Sequence, residues 1–98
     1  MAQYISLMNW TEQGVQNIRE WPGRLRSANA EVESLGGRII NTYVTMGDFD
    51  LVVIMEWPDD EAAARGILAI SQKGNVRFRT MKAWPADEFV ANVISQLP

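Results

Sequence analysis

The side chains best suited to chemistry gather around an acidic turn near the middle of the sequence. The turn is Gly47-Asp48-Phe49-Asp50, and Tyr43 precedes it on the predicted strand that leads into it. A carboxylate such as that of Asp50 can act as a general base or bind a cation when burial raises its pKa. Tyr43 could donate a hydrogen bond or a proton to a ligand, and Phe49 could contact an aromatic ligand.

Each of these residues also has an interpretation that needs no ligand. Asp50 could accept backbone hydrogen bonds and fix the turn after Gly47. Tyr43 could pack against a neighbouring strand, and Phe49 could pack on its own core or on a second subunit. We favour these structural interpretations and keep ligand binding as a hypothesis for each residue.

Asn9 is the remaining polar candidate, and it ends the first predicted strand. Its side chain could cap the helix that follows, because Glu12 stands three residues later and would complete a capping box. Thr11 is an equally suitable cap, and the sequence leaves this choice open.

Charged residues elsewhere in the chain carry weaker signals. Arg77, Arg79 and Lys82 stand on the last predicted strand. Arginine forks match carboxylate and phosphate groups, but charges on an edge strand also prevent edge-to-edge aggregation. The acidic run 59–61 opens a predicted helix, where its side chains diverge, which favours capping by Asp59 over a metal site. We therefore assign no catalytic residue, no metal ligand and no cofactor.

Three tryptophans recur at equivalent places. Trp10, Trp57 and Trp84 each stand at a strand end just before a predicted helix. This recurrence indicates packing at strand-to-helix corners or at an interface, and an aromatic-lined pocket is the alternative.

Composition narrows the possible chemistry further. The 98 residues include no cysteine and no histidine, carry a net charge of −3 and are 47% hydrophobic. These absences remove disulfides, thiolate nucleophiles, the usual zinc, haem and iron–sulfur ligands, and the commonest general base. The acidic net charge gives nucleic acid no electrostatic reason to bind. No apolar run approaches the ~18 residues of a membrane span and no secretory signal is evident, so we expect a single cytoplasmic domain over residues 1–98.

The elements that must position these side chains follow from hydrophobic periodicity and turn signals. Pro22 should break the first helix near Trp21, and Gly36-Gly37 should end it. The predicted strands are 3–9, 38–46, 50–57 and 75–84, and the predicted helices are 12–35, 59–74 and 85–96.

This β-α-β-β-α-β order with a C-terminal helix predicts an α+β, ferredoxin-like fold. Right-handed crossovers place both main helices on one face of a four-stranded antiparallel sheet, with the first and third strands central. The third strand is apolar at both parities from Leu51 to Met55, and we expect Tyr4 and Met8 on the face without helices. An exposed apolar patch of this kind indicates an interface, so we predict a homodimer or higher oligomer in which two sheets pair as a dimeric α+β barrel. The alternative is that the terminal helix of the same chain covers this face.

Several stretches spread over nearly the whole chain carry a family resemblance: 4–7, 9–11, 35–37, 47–54, 58–61, 74–77 and 82–84. They resemble the GYD-domain family of small bacterial and archaeal proteins, within the dimeric α+β barrel superfamily. In the motif that names the family, glycine, a variable residue, tyrosine and aspartate, Gly47 and Asp50 match, whereas Phe49 occupies the tyrosine position. The resemblance implies the fold and dimerisation. Relatives in the wider superfamily include cofactor-free monooxygenases, lactone isomerases, haem-handling proteins and structural barrels.

Three functional hypotheses follow. The first, which we prefer, is an oligomeric barrel that binds a small apolar or aromatic ligand, or a protein partner, between its sheets. The second is a cofactor-independent monooxygenase or isomerase that acts on an aromatic or polyketide-like compound, with Asp50, Tyr43 and Asn9 as its polar groups. Asn9 would then orient a substrate carbonyl, as an asparagine does in oxygenases of the superfamily. The third is a purely structural or regulatory assembly unit.

Overall fold

The computed structural model describes residues 1–98 and contains one four-stranded sheet in the order β2-β3-β1-β4. β1 and β3 are central in this order, and all three strand pairings are antiparallel. The predicted ferredoxin-like fold is therefore confirmed. The elements are β1 (Ala2–Trp10), α1 (Glu12–Gln16), α2 (Trp21–Ser34), β2 (Arg38–Val44), β3 (Leu51–Trp57), α3 (Asp60–Ser71), β4 (Val76–Ala83) and α4 (Ala86–Asn92), with 3₁₀ turns at Ile18–Glu20 and Ile94–Gln96.

The first helical region breaks where the sequence predicts. Pro22 lies in the first turn of α2, where its missing N–H removes no helical hydrogen bond. At the start of α1, the Thr11 hydroxyl oxygen accepts a hydrogen bond from the backbone N–H of Gly14 at 3.1 Å. Of the two candidates left open by the sequence, Thr11 is therefore the helix cap, and Asn9 is not, because it lies within β1 and its amide bonds elsewhere.

The buried face of the sheet is the one that carries the helices. Leu51, Val53, Met55 and Trp57 of β3 are each at most 6% exposed, and the residues that alternate with them are only half-buried. Within the single chain β3 is therefore buried on one face, and burial of its other face by a second subunit stays a prediction.

The placement predicted for Tyr4 and Met8 on the face without helices is also wrong. Tyr4 is 5% exposed and Met8 is 7% exposed, and both belong to the hydrophobic core on the helix side. The cause is register, because Tyr4 pairs with Met55 and Met8 pairs with Leu51. Directly paired residues lie on the same side of a sheet, so the parity of β3 that packs against the helices carries Tyr4 and Met8 with it.

Trp57 is the centre of one corner of this core. It is fully buried, and the backbones of Gly37 and Gly66 lie so close to its indole ring that a Cβ at either glycine would collide with it. Glycine at both positions therefore lets a large aromatic side chain fill the corner where β3 turns into α3. The prediction of corner packing is confirmed for Trp57.

The opposite face of the sheet, which we call the open face, has no helix on it. Its centre is half-buried and its flanks are exposed, with Tyr43 on β2 at 54% and Met81 on β4 at 49% exposure. The C-terminal residues 86–98 are all exposed, so the alternative in which the terminal helix shields this face is wrong. The apolar residues of the open face are Ile5, Leu7, Tyr43, Val52, Ile54 and Met81.

The longest helix, α2, has 14 residues. No helix of the chain combines the length and apolar content required to cross a membrane.

Candidate functional site

The acidic turn between β2 and β3 is closed by hydrogen bonds from Thr45. The Thr45 backbone N–H donates to the carbonyl oxygen of Asp50 at 2.8 Å, and the Thr45 hydroxyl donates to the carbonyl oxygen of Phe49 at 2.5 Å. Gly47 has a φ of +140°, a conformation that side chains other than hydrogen strongly disfavour. The motif glycine is thus required by the backbone of the turn.

The Asp50 side chain ties this turn to the end of β1. Its Oδ2 oxygen accepts the backbone N–H of Trp10 at 3.0 Å and the Asn9 Nδ2 amide at 3.4 Å. The same Asn9 amide donates to the carbonyl oxygen of Asp48 at 3.0 Å, and the Asp50 N–H donates to the carbonyl oxygen of Met8 at 2.9 Å. Asp50 does accept a backbone hydrogen bond, as the structural interpretation predicts, but the donor lies on β1 and not within the turn.

Phe49 lies beside the edge strand on the other side of β1. The guanidinium carbon of Arg79 is 5.9 Å from the centroid of the Phe49 ring, within the range of a cation–π contact. Phe49 is half-buried, so it packs on its own chain while leaving part of the ring accessible. Nothing in the sequence indicates that Arg79 and Phe49 meet, because they are thirty positions apart.

Tyr43 stands apart from this hydrogen-bonded cluster. It pairs with Val52 on the open face, and its hydroxyl makes no hydrogen bond within the chain. A β-bulge between Ile39 and Asn41 sets this placement, since it shifts the pairing of β2 before Tyr43 is reached. The structure therefore brings together Asn9 and Asp50 among the four predicted residues, with Phe49 next to Asp50 in the turn and Tyr43 accessible on the neighbouring surface.

We call the hydrogen bonds from Asn9 and Trp10 to the Asp50 carboxylate the Asp50 clamp. A shallow depression lies next to it, between the end of β1 and β4. Its volume is about 500 Å³, and Asn9, Arg77 and Arg79 contribute polar groups to it. Neither arginine takes part in a salt bridge, so no carboxylate of the chain competes with an anionic ligand such as a carboxylate or phosphate. The remaining lining residues are Trp10, Thr11, Glu12 and Phe78.

A second polar cluster, missed by sequence reasoning, lies at the opposite end of the sheet on the helix side. The Tyr4 hydroxyl donates to Asp60 Oδ1 at 2.5 Å, and the Lys82 ammonium lies 3.1 Å from the same oxygen. Burial of the phenol, together with the hydrogen bond to Asp60, raises the pKa of Tyr4 to about 12. The hydrogen bonds from Tyr4 and Lys82 lower the pKa of Asp60. Only the register of β1 against β4 indicates that these residues meet, because it pairs Tyr4 directly with Lys82.

Comparisons with known proteins place the chain among described relatives. The sequence model of a family described as GYD domain matches residues 4–93. A protein of Thermus thermophilus named glutamine synthetase and cystathionine beta-lyase binding protein is 29% identical over 94 residues, which covers 95% of this chain and 99% of the relative. A crystal structure of a Thermus thermophilus protein matches with a TM-score of 0.57 at 19% identity, over 88% of this chain and 96% of the other, and this similarity supports the fold alone.

Proposed function

This chain belongs to the GYD domain family, and on that premise we propose that it is an oligomeric binding protein whose task is to bind another protein. The observation that carries the proposal is the similarity to a relative named for binding glutamine synthetase and cystathionine beta-lyase. Because the aligned region covers 99% of that relative, this chain has a counterpart for nearly every segment of it.

The surface that fits a protein partner best is the C-terminal segment 85–98. It extends away from the sheet, and all of its residues except Pro85 are exposed. Apolar side chains recur on it at Phe89, Val93 and Leu97, while Asp87 and Glu88 lie in the first turn of α4. α4 ends at Asn92, so these apolar side chains lie on a short helix and the 3₁₀ turn after it. Exposed apolar side chains behind an acidic first turn suit a partner that offers an apolar groove with a basic rim.

The occupant proposed for the open face is a second copy of this chain. The face has an apolar centre and a charged rim, where Arg38 pairs with Glu56 at one end and the arginines of β4 lie at the other. This is the usual anatomy of a protein interface, and a two-fold axis would place the apolar centre over its own copy. The proposed dimer would enclose Tyr43 and the Asp50 clamp near its rim. Binding of a small ligand between the two sheets stays a prediction. The cytoplasmic location also stays a prediction.

The experiment that tests partner binding is biolayer interferometry on glutamine synthetase and cystathionine beta-lyase purified from the source cells. The wild-type chain and a variant lacking residues 86–98 are compared at equal concentration. We expect the wild type to bind at least one of the two enzymes and the truncated chain to lose binding by more than about tenfold. A Phe89→Glu variant serves as the point-mutation form of the truncation, and Asp48→Asn, in the exposed turn, is the matched control. Absence of binding by the wild-type chain to both enzymes would contradict the proposal.

The experiment that tests the second copy is sedimentation velocity of the wild type and Ile54→Glu. Ile54 lies on β3 at the centre of the open face, and a charge there has no partner in a paired sheet. We expect a dimer for the wild type and a monomer for Ile54→Glu, with Arg65→Glu on the outer side of α3 as the control. A monomeric wild type at micromolar concentration would overturn the dimer.

A further inference from the structure

A partly open, largely apolar cleft lies between α2 and the sheet, and its volume is about 490 Å³. Sheet residues Met8, Leu51 and Phe78 form its floor, and α2 forms its roof. Protein interiors contain few voids larger than a water molecule, whereas pockets for small ligands measure roughly 300–1,000 Å³. The cleft therefore has the volume and the apolar lining of a small-ligand site.

The cleft exists because α2 presents a small residue at its middle. The helix faces the sheet through Trp21, Leu25, Ala28 and Val32, at the spacing of one helical stripe. Val32 is fully buried, but Trp21, Leu25 and Ala28 are only half-buried because they face the cleft. Trp21 and Val32, at the two ends of the stripe, pack against the hydrophobic core, and the small side chain of Ala28 lines the cleft between them.

Polar contacts at both ends of α2 hold the roof above the floor. Near the N-terminal end, Arg24 donates to the carbonyl oxygens of Asn17 at 2.6 Å and Gly14 at 3.2 Å. Near the C-terminal end, Glu31 forms a salt bridge of 2.8 Å with Lys73, which follows α3. These contacts oppose the simple collapse of the helix onto the sheet.

The same contacts define the charge of an occupant. Arg24 is engaged with backbone carbonyls, and Lys73 is neutralised by Glu31, so neither cation at the mouth is free for an anionic ligand. The hydroxyl group of Thr42 on the sheet, by contrast, is available to a ligand. Thr42 lines the cleft opposite Val53 and its side chain makes no hydrogen bond within the chain, so it can bond one polar group of a ligand.

We propose that this cleft is a binding site for an uncharged, largely apolar or aromatic small molecule that carries a single hydroxyl or carbonyl group. Trp21 supplies an aromatic wall, which contacts Trp10 edge-on at a centroid distance of 5.8 Å, and Thr42 supplies the polar contact. The site lies on the helix side of the sheet, away from both the open face and the C-terminal segment. It therefore goes beyond the proposed protein-binding function and can exist whether or not that function holds.

The test is a fluorescence titration with the uncharged probe N-phenyl-1-naphthylamine. We expect saturable binding of one probe per wild-type chain. Ala28→Leu fills the cleft and should weaken binding by at least about tenfold. Ala30→Leu adds the same side chain at an exposed position of α2 and should leave binding unchanged. Thermal unfolding of both variants shows that each is folded.

A second pair of probes tests the polar contact. The wild type should bind 1-naphthol more tightly than naphthalene, and Thr42→Val should remove that difference while it keeps naphthalene binding. In ¹⁵N spectra of the four tryptophan indoles, naphthol should shift the Trp21 signal and leave that of Trp84 in place.

Three outcomes would overturn the proposal. The first is no saturable binding by the wild type, which would mean that the cleft closes in solution. The second is equal binding by the wild type and Ala28→Leu, which would place the probe on another apolar surface. The third is binding that appears only after residues 86–98 are deleted, which would show that a C-terminal segment of a second copy fills the cleft.

Discussion

At the scale of single residues, Asp50 and Tyr4 show two uses of an ionisable side chain in a small core. Asp50 joins its turn to the end of β1 through hydrogen bonds to Asn9 and Trp10, which lie about forty residues away in sequence. Tyr4 is a buried phenol whose polar end reaches the exposed carboxylate of Asp60. In both cases hydrogen bonding to residues distant in sequence defines what the group does.

Replacement of Asp50 should destabilise the fold more than replacement of its neighbour Asp48. Asp50→Ala leaves the Trp10 N–H without its acceptor, and we expect the free energy of unfolding to fall by about 1–3 kcal/mol. Asp48→Ala should change it by less than about 0.5 kcal/mol, because only the backbone carbonyl of Asp48 accepts a hydrogen bond. Urea unfolding measures both values. Equal stability of the two variants would show that the Asp50 contacts contribute nothing.

The raised pKa of Tyr4 has a consequence at high pH. Its folded pKa of about 12 exceeds the ordinary tyrosine pKa of 10.0, so the stability linked to the neutral phenol is complete below pH 10 and is lost as pH rises towards 12. Ultraviolet titration of Tyr43→Phe, which leaves Tyr4 as the single tyrosine, should show an apparent pKa near 12. Adding Asp60→Asn should lower that pKa but not restore 10.0, because burial is the larger cause and remains. A pKa near 10 in Tyr43→Phe itself would contradict the geometry of this cluster.

At the scale of elements, the packing of α3 against β3 depends on the absence of a side chain. Gly66 lies in α3 directly over the indole of Trp57, and helix propensity alone would favour alanine at that position. Packing overrides propensity here because the ring of Trp57 is fully buried and cannot move aside. The start of β2 repeats the arrangement with Gly37.

Two glycine-to-alanine substitutions separate these effects. Gly66→Ala should lower the free energy of unfolding by about 1–3 kcal/mol through overpacking against Trp57. Gly23→Ala in α2 should raise it by about 0.5–1 kcal/mol, because its nearest neighbour would be the flexible end of Arg26 at 3.8 Å. Chemical denaturation of both proteins provides the comparison. A stabilising Gly66→Ala would show that the corner can relax around an added methyl group.

At the scale of the whole molecule, the chain leaves two apolar surfaces uncovered, the open face and the C-terminal segment. The longest dimension is 53 Å against a shortest of 17 Å, as expected for a thin layer of sheet and helices with a projecting end. An exposed apolar sheet face of this kind is typical of an interface, and this is the basis for the proposed pairing with a second copy.

Self-association should make the melting temperature depend on protein concentration. Because a second copy stabilises only the folded state, we expect the wild-type Tm to rise over a hundredfold increase in concentration. Ile54→Glu should remove this dependence, since the charged side chain lies in the centre of the proposed interface. Differential scanning calorimetry at several concentrations measures the effect, and a wild-type Tm that does not vary would argue for a monomer.

Much of this protein is determined by its sequence alone. Periodicity, the break at Pro22 and the glycine-ended helices predict every main element, and their order predicts the sheet topology. The capping role of Asp59 was also predictable, since its carboxylate accepts the N–H of Ala62 at 2.8 Å, only three residues away. These features depend on local chemistry, which neighbouring residues specify directly.

Tertiary structure decided which face of the sheet became the core. Residues 51 to 55 are apolar at both parities, so the sequence does not say which parity the helices cover, and Tyr4 and Met8 were placed on the wrong side for that reason. Strand register then fixed the partners of Asn9, Tyr4 and Lys82. The cleft beneath α2 likewise depends on how far a small side chain reaches across a gap. Such distances between segments remote in sequence are set only when the whole chain packs.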